Sequence, residues 1–398
     1  MKKLLGWILL LVIAAGSIFT VWEKSRIYNY IAVKNDNLEI KIRYKGLKRA
    51  EDFTMDDKNI YVLFPDRVLC IPLSGEPYNL YEEEGMDFSA AEINGDKLYV
   101  VGNHKLMTID TVTGIMDTCI EDIPNYGDYQ DVVMKFYGDS LLISIGSATN
   151  SGIVGDDNIW TDSYEGFHDI PSFDIKLKAN PYGAFTEKGT GNTENQVVHG
   201  EKIGTSSIVE YNTNTKEIST YAWGIRNVKG MAVSSDGRIF VTSGGYENRG
   251  IRPVNGDCDY IFEIKKGCWY GFPDYSGGDP LDSPRFSETG IAPVEMLMSE
   301  IPMNAPAPLY QHDALNALSF IVMDNGGIIN SQENNYIYFY DSRNRRILSS
   351  GIGGSPRELI QLQGNADVKM MKIINEGLYI LDSNNGFLYT IGLKKHDQ

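Results

Sequence analysis

Cysteine is scarce in this chain, with four in 398 residues, and none of Cys70, Cys119, Cys258 and Cys268 falls in a Cys-x-x-Cys pair. Four scattered thiols cannot be the framework of a domain this size. Two readings of them stand: one disulfide, Cys258 with Cys268, in an oxidising compartment, or four buried thiols. Histidine is nearly as sparse, with five residues, no His-Glu-x-x-His and no His–Cys cluster, so a zinc site has no motif behind it. Positive charge is short as well: 36 Lys and Arg stand against 53 Asp and Glu, for a net charge of −17. No basic stripe with interleaved aromatics offsets this. Such a surface repels phosphate backbones, which argues against nucleic acid and favours neutral or cationic ligands. Helical periodicity is almost absent beyond residue 40.

The one long apolar run is at the start, where Lys2 and Lys3 precede an uncharged stretch from Leu4 to Trp22. At about 1.5 Å per helical residue it reaches roughly 28 Å, enough for a bilayer core. Residues 1–26 are therefore expected to be a cytoplasmic stub with a transmembrane anchor, and 27–40 a linker. The lysines orient everything after the span to the extracytoplasmic side. Cleavage near Ala14-Ala15-Gly16, which would give a secreted protein, is the rival reading. Lys2, Lys3, Lys24 and Arg26 against Glu23 make this tail +3, so the remainder carries −20.

From residue 41 to 394 a short β-branched or aromatic strand recurs behind a polar turn, in DKNIYVLF, GDKLYVVG, GDSLLISIG, DGRIFVTSG, NNYIYFYD and EGLYILD. Their central residues, Tyr61, Tyr99, Leu142, Phe240, Tyr338 and Tyr379, lie 38, 43, 98, 98 and 41 positions apart. A turn-plus-strand unit every forty-odd residues is the signature of four-stranded blades, and six copies predict an all-β, six-bladed β-propeller. Each 98-residue gap then holds a long insertion. One runs through residues 150–200, ahead of the outer strands SSIVEYN and EISTYAW. The other holds WYGFPDYSGGDP and a proline-rich stretch from Pro293 to Pro308. Ordered insertions of that length on a tight repeat are usually functional loops.

Residues 221–286 supply a Gly-x-Arg-Asn turn at Gly224–Asn227, a strand ending in Gly244-Gly245, the segment Arg249-Gly-Ile-Arg252-Pro-Val, Asp259 ahead of a strand, and WYGFPD. In this order the features resemble the glucose/sorbosone dehydrogenases, six-bladed propellers that bind pyrroloquinoline quinone (PQQ) and Ca²⁺. The likeness is specific over residues 128–290 and weak before residue 120. It implies that Arg226 and Asn227 contact the cofactor, with Arg343 and Arg345 as further cationic contacts. It also implies that the carbonyls at Gly245 and Tyr246 hold calcium, that Asp259 joins a metal site, and that Gln130, Trp160, Arg252 and His312 line a substrate pocket for a sugar. The residue types allow other roles. An arginine fork suits carboxylates and quinone oxygens but also ties loops through backbone carbonyls, Arg249 and Arg252 can bridge insertions, and Asp259 can cap a turn.

Where that family has its base histidine, in an Asp-His-Gln pattern, this chain has Asp128-Tyr129-Gln130. A phenol with its usual pKa near 10 leaves only about one molecule in a thousand ionised at pH 7. Tyr129 used as the catalytic base would slow proton transfer by about a thousandfold unless the site lowers its pKa. Two functions follow as expectations: a quinoprotein sugar dehydrogenase impaired at Tyr129, or a non-catalytic cell-surface propeller that binds a glycan or protein. A lactonase-like hydrolase shares the architecture, but no carboxylate and amide cage can be assembled from the sequence.

Overall fold

The computed structural model describes residues 31–287, 290, 292–330, 335–375 and 377–394. They form six antiparallel sheets arranged as blades. The innermost strands are Asp52–Met55, Phe88–Asn94, Met134–Tyr137, Val228–Val233, Leu318–Asp324 and Val368–Ile374, heading blades 1 to 6 in chain order. All six central residues of the repeat fall on the second strand of successive blades, from Asn59–Phe64 in blade 1 to Gly377–Asp382 in blade 6. A second strand has a neighbouring blade on each side, so both of its faces are buried. Ser140–Ile145 and Gly377–Asp382 are accordingly buried at every position. This explains why the repeat reads as continuous apolar strands without alternation. Between blades 1 and 2, for instance, Tyr61 and Leu63 interlock with Leu98 and Val100.

The ring is closed by the N-terminal segment. Leu38–Lys45 is the outermost strand of blade 6 and pairs antiparallel with Phe387–Leu393, from Leu38 opposite Leu393 to Lys45 opposite Phe387. Ile31–Val33 adds a fifth strand to blade 5, with Ile31 opposite Leu362. The propeller thus begins inside the stretch expected as a linker, because Leu38 and the buried Ile31 supply apolar side chains to the core of the last two blades. The expected anchor at residues 1–26 lies outside the described residues. Among the described residues no helix is long and apolar enough to cross a membrane.

Both 98-residue gaps hold insertions and, among the described residues, no extra blade. Residues 146–206 carry a 3-10 turn, Ile159–Asp162, and a ribbon of Ile175–Leu177 with Gln196–Val198. After Ile264 the chain turns back along the outer strand of blade 3, so that Trp269 forms a parallel bridge with Trp223, and WYGFPD reaches the end of the ring where the first insertion lies. Ile153, Leu177, Phe185, Tyr246, Trp269, Phe272 and Leu297 form one core shared by the insertions. All four cysteines are free thiols. Cys258 and Cys268 sit at opposite ends of the strand Tyr260–Ile264, and five extended residues at about 3.3 Å each hold them too far apart for a bridge.

Ring closure predicts where stability concentrates. Ile391 is fully buried opposite Ile40 in the closing sheet. Ile391→Ala is expected to cost about 2–5 kcal/mol in urea unfolding, and Ile115→Ala, on an exposed hairpin, under about 0.5 kcal/mol. Equal losses would contradict a closure that depends on the N-terminal strand.

Candidate functional site

One end of the ring gathers the residues singled out in the sequence. Arg226 and Asn227 immediately precede the inner strand of blade 4, Tyr129 lies in the link from blade 2 to blade 3, and Gly245 and Tyr246 follow the second strand of blade 4. Arg226 is buried, and its guanidinium is completely engaged by the protein. Nε donates to the Asn150 carbonyl at 2.9 Å, and Nη1 to the carbonyls of Gly244, at 3.4 Å, and Gly245. Nη2 donates to Asn150 Oδ1 at 2.8 Å and to the Tyr129 hydroxyl. These partners take all five N–H groups that a guanidinium offers. The planar group also lies over the Tyr129 ring, with Cζ 4.2 Å from its centroid.

A second arginine completes the network. Arg249 reaches three carboxylates, Asp128 at 2.6 Å, Asp157 at 2.6 Å and Glu247 at 2.5 Å, and its Nη2 donates to the Tyr129 hydroxyl at 3.1 Å. The phenol, with two arginine donors on its oxygen, donates to Glu247 Oε2 at 3.4 Å. Burial raises the Tyr129 pKa above its ordinary value, and the opposing pull of Arg226 and Arg249 does not overcome it. The hydroxyl therefore stays protonated at neutral pH, a donor in a hydrogen-bonded chain and a poor base. Burial would also raise the Glu247 pKa, but hydrogen bonds from Arg249 and Asn316 and the charges of both arginines outweigh it and hold the group at about 2.

The other expected site residues divide between this network and the scaffold. Trp160 is buried within the first insertion and its Nε1 donates to Asp128 Oδ1 at 2.7 Å. Gln130 is exposed on the link from blade 2 to blade 3, its carbonyl accepting from Asn125 Nδ2 at 2.8 Å. Asp259 is fully buried with both oxygens on backbone amides: Oδ1 accepts from Gly245 and Asn316, and Oδ2 from Ala317 at 2.7 Å and Leu318 at 2.8 Å. It pins blade 4 to blade 5. Arg252 bridges the insertions, bonding the carbonyls of Ser151, Pro273 and Glu295 and Asp274 Oδ1 at 2.6 Å. His312 is buried, accepting from the Ala314 amide at 3.1 Å and facing Asp341 at 3.3 Å. Arg343 is exposed, and Arg345 bonds the Gly364 carbonyl. Tyr246 is buried and stacked on Phe272 with ring planes 6° apart. Asn227 is buried, and its side-chain amide makes no hydrogen bond to the described residues.

The residues present do not fit a quinone with its calcium. The Gly245 carbonyl faces a guanidinium, which would repel a second cation, and Arg226 has no donor left for a quinone oxygen. Among the described residues no three His, Cys, Asp or Glu side chains converge on a metal-sized site.

Beside the network, at the same end of the ring, lies an open cavity of about 710 Å³. It is lined on blades 1 to 6 by Glu51, Ser89, Asp131, Lys229, Arg345 and Lys369, with Phe320 and Tyr340 as aromatic surface. Glu51 and Lys369 pair at 3.2 Å. A relay joins cavity and network, since Lys229 Nζ donates to Asn316 Oδ1 at 3.3 Å and Asn316 Nδ2 to Glu247 Oε1 at 2.9 Å. Sequence reasoning missed Glu247, Asp157, Asn150 and all of these lining residues except Arg345. Glu247 alone had a local signal, two positions before Arg249 in a glycine-bounded loop.

Because the folded-state pKa of Glu247 lies below its ordinary 4.5, its contribution to stability is complete above that pH and is lost as pH falls toward about 2. The urea midpoint of the wild type is expected to fall more steeply between pH 5 and pH 2 than that of Glu247→Gln. Parallel curves would contradict the network.

No protein-family model matches the chain, and no curated protein does. Solved structures do match. A carbohydrate-active enzyme of family AA12 from Trichoderma reesei superposes with a TM-score of 0.60 at 13% identity, covering 92% of this chain and 98% of that one. The holo PQQ domain of pyranose dehydrogenase from Coprinopsis cinerea gives 0.59 at 11% identity, covering 91% and 97%. The PQQ-bound aldose sugar dehydrogenase of Streptomyces coelicolor gives 0.54 at 13% identity, covering 90% and 100%. At these identities the likeness is one of architecture: the chain has the six-bladed propeller fold of PQQ-dependent sugar dehydrogenases.

Proposed function

We propose that this chain is a carbohydrate-binding propeller on the sugar-dehydrogenase scaffold, in which a fixed arginine–tyrosine–carboxylate network stands in the quinone's place. The observation that carries this reading is the saturation of Arg226 by Gly244, Gly245, Asn150 and Tyr129. The ligand surface is the neighbouring cavity. Its mixed donors and acceptors, with Phe320 and Tyr340 beside them, suit a neutral polyhydroxylated molecule with polar edges and apolar faces. The neighbours' names, pyranose dehydrogenase and aldose sugar dehydrogenase, concern sugars. The acidic outer domain suits an uncharged glycan better than a polyanion. Placement on the extracytoplasmic side of a membrane, through the N-terminal apolar run, belongs to the same proposal.

One observation favours a quinoprotein dehydrogenase instead: the free side-chain amide of Asn227, beside Arg226 as in the sequence pattern of that family. The two readings separate in one experiment. Purified protein is titrated with PQQ and Ca²⁺, followed by quinone absorbance and dye reduction with a panel of aldoses, alongside calorimetry with neutral oligosaccharides. We expect oligosaccharide binding, no quinone spectrum and no turnover, in the wild type and in Tyr129→His alike. Lys369→Ala, which removes a lining donor, should weaken the glycan at least tenfold. A quinone spectrum with turnover, or silence toward every oligosaccharide, would overturn the proposal. Loss of binding in Tyr129→Phe but not in Lys369→Ala would move the ligand to the network.

A further inference from the structure

The axis of the ring holds a second cavity, of about 370 Å³, which shares Val132, Val133, Phe320 and Met370 with the first and is otherwise lined by different residues. All six inner strands line it. Val233, Asn325 and Ile374, at or just past the far ends of inner strands, put its mouth on the side of the ring opposite the network. The wall has two chemistries. Blades 4 and 5 contribute Met231, Phe320, Val322 and Met323, whereas blades 1, 2, 3 and 6 bring Asp52, Glu92, Lys135 and Lys372 together.

The charged half is only partly self-satisfied. Asp52 accepts from the amides of Phe53, at 2.6 Å, and Ala91, at 2.7 Å. Lys372 is buried and bonds the Ala91 carbonyl at 2.9 Å and Glu92 Oε1 at 3.3 Å, with Asp52 at 3.7 Å. Glu92, which is 8% exposed, takes Lys372 and Lys135 on the same oxygen, Oε1, and Oε2 accepts from no described residue. Among the described residues Lys135 Nζ donates to Glu92 alone, at 3.1 Å, which leaves two of its N–H groups open. An unused acceptor and unused donors thus sit side by side in a wall that otherwise turns methionine, isoleucine and valine toward the space. Glu92 Oε2 and the open N–H groups of Lys135 border the cavity, where a water or a ligand head group can reach both.

We infer that the axial cavity is a binding site for a small neutral amphipathic molecule, its hydroxyl or amide head between Glu92 Oε2 and Lys135 Nζ and its apolar body against Met231, Phe320, Val322 and Met323. The head must both donate, to the carboxylate, and accept, from the ammonium. An anion would meet Glu92 and a cation Lys135, so a net charge of either sign is disfavoured. The volume falls in the range of ligand pockets, roughly 300–1,000 Å³, and exceeds the about 150 Å³ of a cavity that admits benzene. Met55, Met134, Met231, Met323, Met370 and Met371 all border it, and thioether side chains re-pack around bodies of differing shape.

The test uses ¹³C-methyl-methionine NMR of the whole protein with 1-octanol as probe. The methyl signals of the six lining methionines are expected to shift saturably, while Met303, on the surface, stays still. Lys135→Met removes the head's donor and should weaken the probe at least tenfold. If that variant does not fold, the wild-type titration decides alone. Lining methyls that do not move up to the solubility limit of octanol, or shifts shared equally with Met303, would overturn the assignment. So would octanol binding unchanged in folded Lys135→Met. Met370 borders both cavities, so the other five methyls keep the result distinguishable from ligand binding at the other end of the ring.

Discussion

A guanidinium buried without partners is among the most expensive groups a protein can hold, so the surroundings of Arg226 are built to meet its five N–H groups. Meeting them fixes much of this end of the ring. Asn150 must come down from the first insertion to offer both its carbonyls, Gly244 and Gly245 must turn their backbone carbonyls inward, and Tyr129 must present its hydroxyl from the link between blades 2 and 3. The Gly245 turn leaves no room for a side chain, since a Cβ there would lie 2.1 Å from the Cys258 carbonyl oxygen. That approach in turn seats the strand head at Asp259, whose carboxylate binds the amides that start blade 5. One buried cation thus orders the junction of blades 3, 4 and 5.

The same constraint sets the chemistry of the face. Arg249 gathers Asp128, Asp157 and Glu247, and the phenol between the two arginines is held as a donor toward Glu247. A site that must accept a proton or coordinate calcium needs free lone pairs away from positive charge, and here the Gly245 carbonyl, the Tyr129 hydroxyl and Glu247 already face a guanidinium. Open donors and acceptors lie instead to either side, in the cavity bordered by Lys229 and Lys369 and in the axial space beside Glu92 and Lys135. The ring holds two cavities of different character, which meet along the axis at Val132, Val133, Phe320 and Met370.

The repeat was legible because a propeller writes its architecture locally. Tyr61, Tyr99, Leu142, Phe240, Tyr338 and Tyr379 each need a turn before and apolar neighbours on both faces, and both demands fall within eight residues of sequence. The closing strand was not legible: the partners of Leu38–Lys45 lie some 350 positions away, and its alternation suits an outer strand of any blade. Among the site residues, Arg226, Tyr129, Gly245 and Trp160 were found by motif and do converge. Asp259, Arg252 and His312 were found by the same route, yet their partners are backbone amides, carbonyls and a buried carboxylate of the scaffold, because a motif preserves the residue and not what it bonds. Asn150 and Glu247 were invisible for the converse reason, since their roles exist only once insertions distant in sequence meet. The Lys135–Glu92–Lys372 cluster draws on three blades and carries no local pattern at all.

The central claim is that Arg226 occupies the position a quinone and its calcium would need. A crystal structure of the protein grown with excess PQQ and Ca²⁺ tests it most directly. The account predicts density for the Arg226 guanidinium on the Gly245 carbonyl and the Tyr129 hydroxyl, with neither quinone nor calcium between them. Arg226 swung away, with calcium bound to the Gly245 carbonyl and a quinone over Tyr129, would contradict it.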